Sequence, residues 1–281
     1  MKPALVTGVS RGIGAAVADM LIADGWSVIG LSRTAPPQKD GLYWFRWDAG
    51  TGGLTDIADI LGMTGIDVLD AVIHCAASQE PVGPIRDSDA VSWADAIYAN
   101  LIGTYDVVRD TLPVLERSPD ARILLMSGGG SFSPRPNYSA YAASKAGVVA
   151  LMECLAGELP PNVTANCVAP GFVPTGIHAP TLAAGPGIVG PEEYRHATRA
   201  GEGAMETVVA CVRHLLSPRT RGLSGRTVSA PHDDWASLTP LTVPLVMTSP
   251  AGTRTRHKIS ALGHASRRPD AVLPCPVGVT A

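Results

Sequence analysis

Short, β-branched apolar runs alternate along the chain with longer stretches in which apolar residues recur every three or four positions. ALVTG (4–8), SVIGLS (27–32), YWFRW (43–47), DAVIHCA (70–76), ARILLMS (121–127), VTANCVA (163–169) and RTVSA (226–230) read as strands. Several are apolar almost throughout, the pattern of strands covered on both faces. GIGAAVADMLIADG (12–25), ending on a C-capping Gly25, and the segments 89–117, 139–158 and about 203–216 carry helical spacing. This alternation predicts an α/β fold: a doubly wound parallel sheet of about seven strands, with helices on both faces and right-handed crossovers.

Composition narrows the class. A chain of 281 residues with 46% hydrophobic residues and a mean hydropathy of +0.17 can bury a large core. The net charge of −3, the pI near 6.1 and the scattered basic residues before position 238 give no footprint for nucleic acid or an anionic membrane. The N-terminus enters a strand within three residues, and no run of about 18 apolar residues occurs, so neither a signal peptide nor a membrane span is expected. A cytoplasmic protein is the expectation. Five widely spaced cysteines, Cys75, Cys154, Cys167, Cys211 and Cys275, suit buried thiols better than a disulfide framework or a zinc site. The histidines show no ligand pairing, so no metal is expected.

The character of the chain changes at Leu238. From there to the end stand six prolines and five Lys or Arg against one acid, Asp270. The division predicted is a domain over 1–237 and an atypical proline-rich, basic C-terminal tail over 238–281, disordered because it cannot bury enough apolar area to offset ordering entropy. An arm crossing to a neighbouring subunit is the alternative.

Two motifs carry chemistry. TGVSRGIG (7–14) joins the first strand to the first helix, and glycines at Gly8, Gly12 and Gly14 would let backbone N–H groups and a helix N-terminus face a pyrophosphate. The second is SGGGSFSPRPNYSAYAASK (127–145). On a helix, Tyr141 and Lys145 lie four residues apart on one face, and the chain has only four lysines. A phenol titrates near ~10, and a cation at about 4–5 Å would lower that by some 2–3 units, enough for proton exchange near neutrality.

TGVSRGIG, NLIGT beginning at Asn100, MSGGGS (126–131), YAASK (141–145) and APGFVPT (169–175) together resemble the short-chain dehydrogenase/reductase family of the single-domain type, over about residues 3–235. The resemblance implies a Rossmann-type sheet in the order 3-2-1-4-5-6-7 and a bound nicotinamide dinucleotide. It implies Tyr141 as acid/base, Lys145 as ribose ligand and acidifier of the phenol, Asn100 as holder of a relay water, and a serine after the fifth strand. That serine's usual position is Gly128, so Ser127 is favoured, with Ser131 and no serine as alternatives. The cofactor-binding set implied is Gly8, Ser10, Arg11, Gly12, Ile13, Gly14, Ser32, Arg33, Asp48, Ala76, Tyr141, Lys145, Pro170, Gly171, Val173 and Thr175. Because the second strand ends in Arg33 and no acid, NADP(H) is favoured over NAD(H).

HCAA (74–77) departs from the family's Asn-Asn-Ala-Gly, and His74 reads as a structural residue rather than a base. Tyr138 reads as pocket wall or packing. The Gly- and Pro-rich stretch 176–197 is a candidate lid. The function implied is an NADP(H)-dependent oxidoreductase interconverting a small secondary alcohol and a carbonyl compound, acting as a homodimer or homotetramer. A non-redox lyase or isomerase and a non-catalytic nucleotide sensor are the alternatives.

Overall fold

The computed structural model describes residues 1–50, 56–198 and 203–240. The expected tail from residue 241 onward, including Cys275, lies outside the described residues. Strands β1 (Pro3–Thr7), β2 (Ser27–Ser32), β3 (Leu42–Arg46), β4 (Ala71–His74), β5 (Ala121–Met126), β6 (Val163–Ala169) and β7 (Arg226–Ser229) form one parallel sheet in the order β3-β2-β1-β4-β5-β6-β7. The order reverses between β1 and β4, which opens a crevice at their C-terminal ends.

Alternation along the strands divides the core. Leu5, Ile29, Leu31, Val72, Ile123, Leu125 and Cys167 point to one face, where they meet α2 (Ile57–Thr64), α4 (Gly103–Leu115) and α5 (Ser139–Glu158). Ala4, Val6, Val28, Ile73, Leu124, Met126 and Val168 point to the other, against α1 (Gly12–Ala23) and α9 (Ala204–Leu215). Both faces are thus covered, and the strands read as continuous apolar runs for that reason.

Besides α2, which no expected helix covers, three details differ from the sequence reading. β1 ends at Thr7 because Gly8 turns out of the strand at φ +75°. The helix expected over 89–117 is α3 (Ala90–Ile97), a π-helical segment (Tyr98–Ile102) and then α4. The extra residue in that turn places buried Asn100 at the break, the kind of local irregularity that marks functional sites. Finally, Leu238, assigned to the tail, packs into the second core cluster and closes a turn onto Trp235.

The segment after β6 folds as three short helices, α6 (Ala179–Ala184), α7 (Pro186–Val189) and α8 (Pro191–Thr198), packed against one another. No described helix is long and apolar enough to cross a membrane.

Candidate active site

A cleft of about 1060 Å³ opens over the C-terminal ends of the strands. At one end lies the β1–α1 turn, where backbone packing leaves no room for side chains. A Cβ on Gly8 would come within 3.2 Å of Ala76 N, and one on Gly14 within 2.4 Å of Gly8 O. Arg11 occupies the N-cap of α1 without a side-chain cap, so the first helical N–H groups are left for an anion in the cleft. A dinucleotide pyrophosphate fits this cradle.

Thr7 holds the turn to β4. Its Oγ1 accepts from Cys75 N and Ala76 N, both at 3.0 Å, and so donates its own proton to His74 Nδ1, also at 3.0 Å. His74 is therefore the neutral Nε2–H tautomer. Burial, aided by the nearby Lys145 charge, pushes its pKa down to about 3. The ring does not line the cleft and braces the strand ends, a job amide side chains would do in Asn-Asn-Ala-Gly.

Gly8, Ser10, Arg11, Gly12, Ile13, Gly14, Ser32, Arg33, Asp48 and Ala76 all line the cleft, as do Tyr141, Pro170, Gly171, Val173 and Thr175. Ser32 Oγ donates to Thr34 O and accepts from Trp44 Nε1, which fixes the end of β2. Arg33, exposed beside it, projects at the cleft's edge. Asp48 Oδ1 closes a turn on Gly50 N at 3.0 Å.

Lys145, Asn100 and Ser127 stand behind the cleft wall instead of in it. Lys145 is 1% exposed, its Nζ donates to Met126 O at 2.8 Å, and it lies 5.9 Å from the centre of the Tyr141 ring. Burial lowers its pKa to about 8. Asn100 Oδ1 accepts from Ser78 N, while its Nδ2 donates to Ser78 O and Ser144 Oγ. Ser144 Oγ in turn donates to Tyr141 O, tying the π segment to α5 one turn before Lys145. Ser127 Oγ turns toward Val168 O at 3.4 Å, and Ser131 Oγ donates to Gly128 O at 2.8 Å. Neither serine lines the cleft.

The Tyr141 hydroxyl fills the space at the expected serine position, since a Cβ on Gly128 would lie 2.4 Å from Tyr141 Oη. Burial raises the Tyr141 pKa, and the Arg135 guanidinium, 5.5 Å from the ring centre, works against that rise. The sequence reading relied on Lys145 as the acidifying cation and did not single out Arg135. It also missed Gln79 and Glu193, which line the cleft on either side of Arg135. Tyr138 is buried, its hydroxyl paired with Thr181 Oγ1 of α6 at 2.9 Å. Among the described residues no group of three or more His, Cys, Asp or Glu gathers as a metal site.

With this geometry established, comparison with known proteins is specific. A family model described as enoyl-(acyl carrier protein) reductase matches residues 57–230. The chain is 31% identical over 188 residues to dehydrogenase/reductase SDR family member 4 of Sus scrofa, covering 62% of this chain and 66%, just under two thirds, of that protein. It is 33% identical over 190 residues to the 3-oxoacyl-(acyl-carrier-protein) reductase MabA of Mycobacterium tuberculosis, covering 62% and 70%. Among solved structures, a short chain dehydrogenase of Shigella flexneri complexed with NADP aligns with a TM-score of 0.67 at 25% identity, covering 82% and 97%. The KRED1-Pglu enzyme aligns with a TM-score of 0.70 at 26% identity, covering 81% and 100%.

Lys145 yields a stability test. Its folded pKa is depressed, so the cost of burying the charge is fully present at pH 7 and falls as pH rises above about 8, where the folded state sheds a proton that the unfolded chain keeps. Lys145→Met is expected to melt above the wild type at pH 7, with the gap narrowing as pH rises past about 8. Calorimetry of both proteins from pH 6 to 10 checks this, and a gap that widens with pH contradicts it.

Proposed function

The chain belongs to the short-chain dehydrogenase/reductase family, and on that premise we propose that it is an NADP(H)-dependent oxidoreductase interconverting a secondary alcohol and a carbonyl compound. Membership of the family carries a nicotinamide cofactor and a small-molecule substrate with it. The observation that supports the finer reading is a single cleft joining the glycine turn to the Tyr141 hydroxyl.

When bound, the nicotinamide supplies or accepts the hydride. Gly8 to Gly14 and the free N–H groups of α1 would hold the pyrophosphate, with Pro170, Gly171, Val173 and Thr175 also lining the cleft and Thr175 packed against Gly12. Tyr141 delivers the proton to the carbonyl oxygen in reduction and recovers it in oxidation. Lys145, charged below about pH 8, keeps a cation behind the phenol, and to hold the ribose, as the family resemblance implies, its Nζ would turn from Met126 O toward the cleft. Asn100 braces this region from the π segment, where its carbonyl already accepts from Thr104 Oγ1 at 2.6 Å.

The 2′-phosphate preference rests on Arg33, which lines the cleft where β2 ends, and on the lack of an acid closing β2, while Arg11 also lines the cleft with its guanidinium against Gly176. The similar Shigella structure with NADP supports it. A homodimer or homotetramer belongs to the same reading, because Val91, Tyr98 and Tyr105 leave apolar surface exposed along α3, the π segment and α4. A cytoplasmic setting is consistent with Cys75, Cys154, Cys167 and Cys211 being free thiols.

Steady-state reduction of a carbonyl panel, followed by NADPH absorbance, tests the reaction. Tyr141→Phe is expected to lose turnover by about 10²-fold or more while NADPH affinity stays within a few-fold, since only the exchangeable proton is removed. Near-normal turnover contradicts the acid/base role. For the cofactor, Arg33→Ala should weaken NADPH by about tenfold or more and NADH little, from the loss of a charge-assisted contact. Equal weakening of both in fluorescence titrations removes the 2′-phosphate reading.

A further inference from the structure

The site lacks a hydroxyl where a substrate carbonyl would meet Tyr141. Position 128 is glycine and its side-chain space is taken by Tyr141 Oη. Ser127 and Ser131 do not line the cleft and are turned to the carbonyls of Val168 and Gly128, and Ser133 lines the cleft from the exposed part of the loop. What the loop does place beside Tyr141 is a cation. Arg135 lines the cleft with its guanidinium 3.9 Å from the Tyr138 ring centre and 5.5 Å from that of Tyr141. Its side chain lies along the glycine run, 3.4 Å from where a Cβ on Gly129 would stand.

Three contacts lock it there. Its Nη2 pairs with Glu193 Oε1 of α8, and, with the Gln79 amide turned so that its oxygen and nitrogen meet complementary partners, its Nη1 donates to Gln79 Oε1 at 3.3 Å. Gln79, 3% exposed, is itself held by donating from Nε2 to Thr181 Oγ1 and Ile177 O, both at 3.2 Å. The stacking on Tyr138 fixes the plane. A guanidinium has five N–H groups, and these two partners leave others for a ligand. A cation held this firmly at the cleft wall is suited to a charge that appears only during reaction.

We propose that Arg135 does the work of the missing serine, donating a hydrogen bond to the substrate oxygen beside Tyr141 and favouring the phenolate by its charge. The proposal rests on the reductase reading. In the reduction, hydride adds to the carbonyl carbon, the C=O π pair moves to oxygen, and the Tyr141 proton forms the new O–H bond. Arg135 keeps its protons throughout. Among the described residues the cations near the phenol are Arg135 from the loop and Lys145 from the next turn of α5, and Arg135 in turn faces Glu193 from α8 and His178 from the turn after β6. Of these Arg135 is the cation within the cleft itself.

The test uses the full chain, a panel of small ketones and aldehydes, and tyrosine labelled with ¹³C at Cζ, with Tyr141→Phe assigning the resonance. Arg135→Gln is expected to lower kcat by about 10²-fold while NADPH affinity holds within about two-fold, as for loss of an oxyanion donor. The Tyr141 phenol should titrate at higher pH in that variant, because the charge that favoured phenolate is gone. Arg135→Ala should regain part of its turnover when guanidinium ion is added, a rescue that a merely structural role would not show. An unmoved phenol, or turnover retained in Arg135→Gln but lost in Ser127→Ala, Ser131→Ala or Ser133→Ala, overturns the proposal. A wild type that reduces no carbonyl compound overturns the reductase reading and the donor role with it. An upward phenol shift on Arg135→Gln would in that case still establish the charge coupling.

Discussion

The Tyr141 hydroxyl rests on the backbone of Gly128, and the arrangement of the catalytic end of the cleft follows from that contact. With no Cβ at position 128, β5 and the start of α5 can approach until the phenol sits against the strand's end. One turn later, Lys145 reaches back to Met126 O, the last carbonyl of the same strand. The helix is thereby fixed to the sheet at two points, one by exclusion and one by a charge-assisted hydrogen bond. A side chain at 128 would break the first and pull on the second.

This arrangement buries polar groups that need partners, and the neighbouring elements supply them. Asn100 spends its amide on Ser78 and Ser144, and Ser144 links it to the Tyr141 carbonyl. The π segment puts Asn100 at the position where one residue can serve both the β4 loop and α5. Thr7 does likewise at the phosphate turn, accepting two backbone N–H groups and orienting His74. Each of these hydrogen bonds offsets part of the cost of burial and holds its element in place, while His74 Nε2 stays buried without a partner.

The strands were legible because a doubly covered sheet demands continuous apolar runs, and each of the seven begins and ends within a few residues of its run. Cleft residues near the strand ends were legible by their motifs. What escaped was set by long-range contacts. Arg135 meets Glu193, 58 positions away, and Gln79 meets Thr181, 102 positions away, so no local pattern marks either pair. The π segment is invisible to a periodicity that tolerates an extra residue. α2 was missed despite local signals: Asp56 caps it, Ile57, Ile60 and Leu61 face the core, and Gly65 ends it in the left-handed region. The serine question misled because spacing alone cannot show that Gly128 is occupied by the tyrosine it was expected to assist.

Turnover of Gly128→Ser, measured with NADPH and a carbonyl compound that the wild type reduces, tests this account most directly. If Tyr141 depends on the bare backbone beneath it and Arg135 supplies the donor, the added side chain displaces the phenol, and kcat should fall by about tenfold or more with NADPH affinity little changed. A gain in turnover would show that the chain lacks a serine its chemistry needs, and would contradict the account.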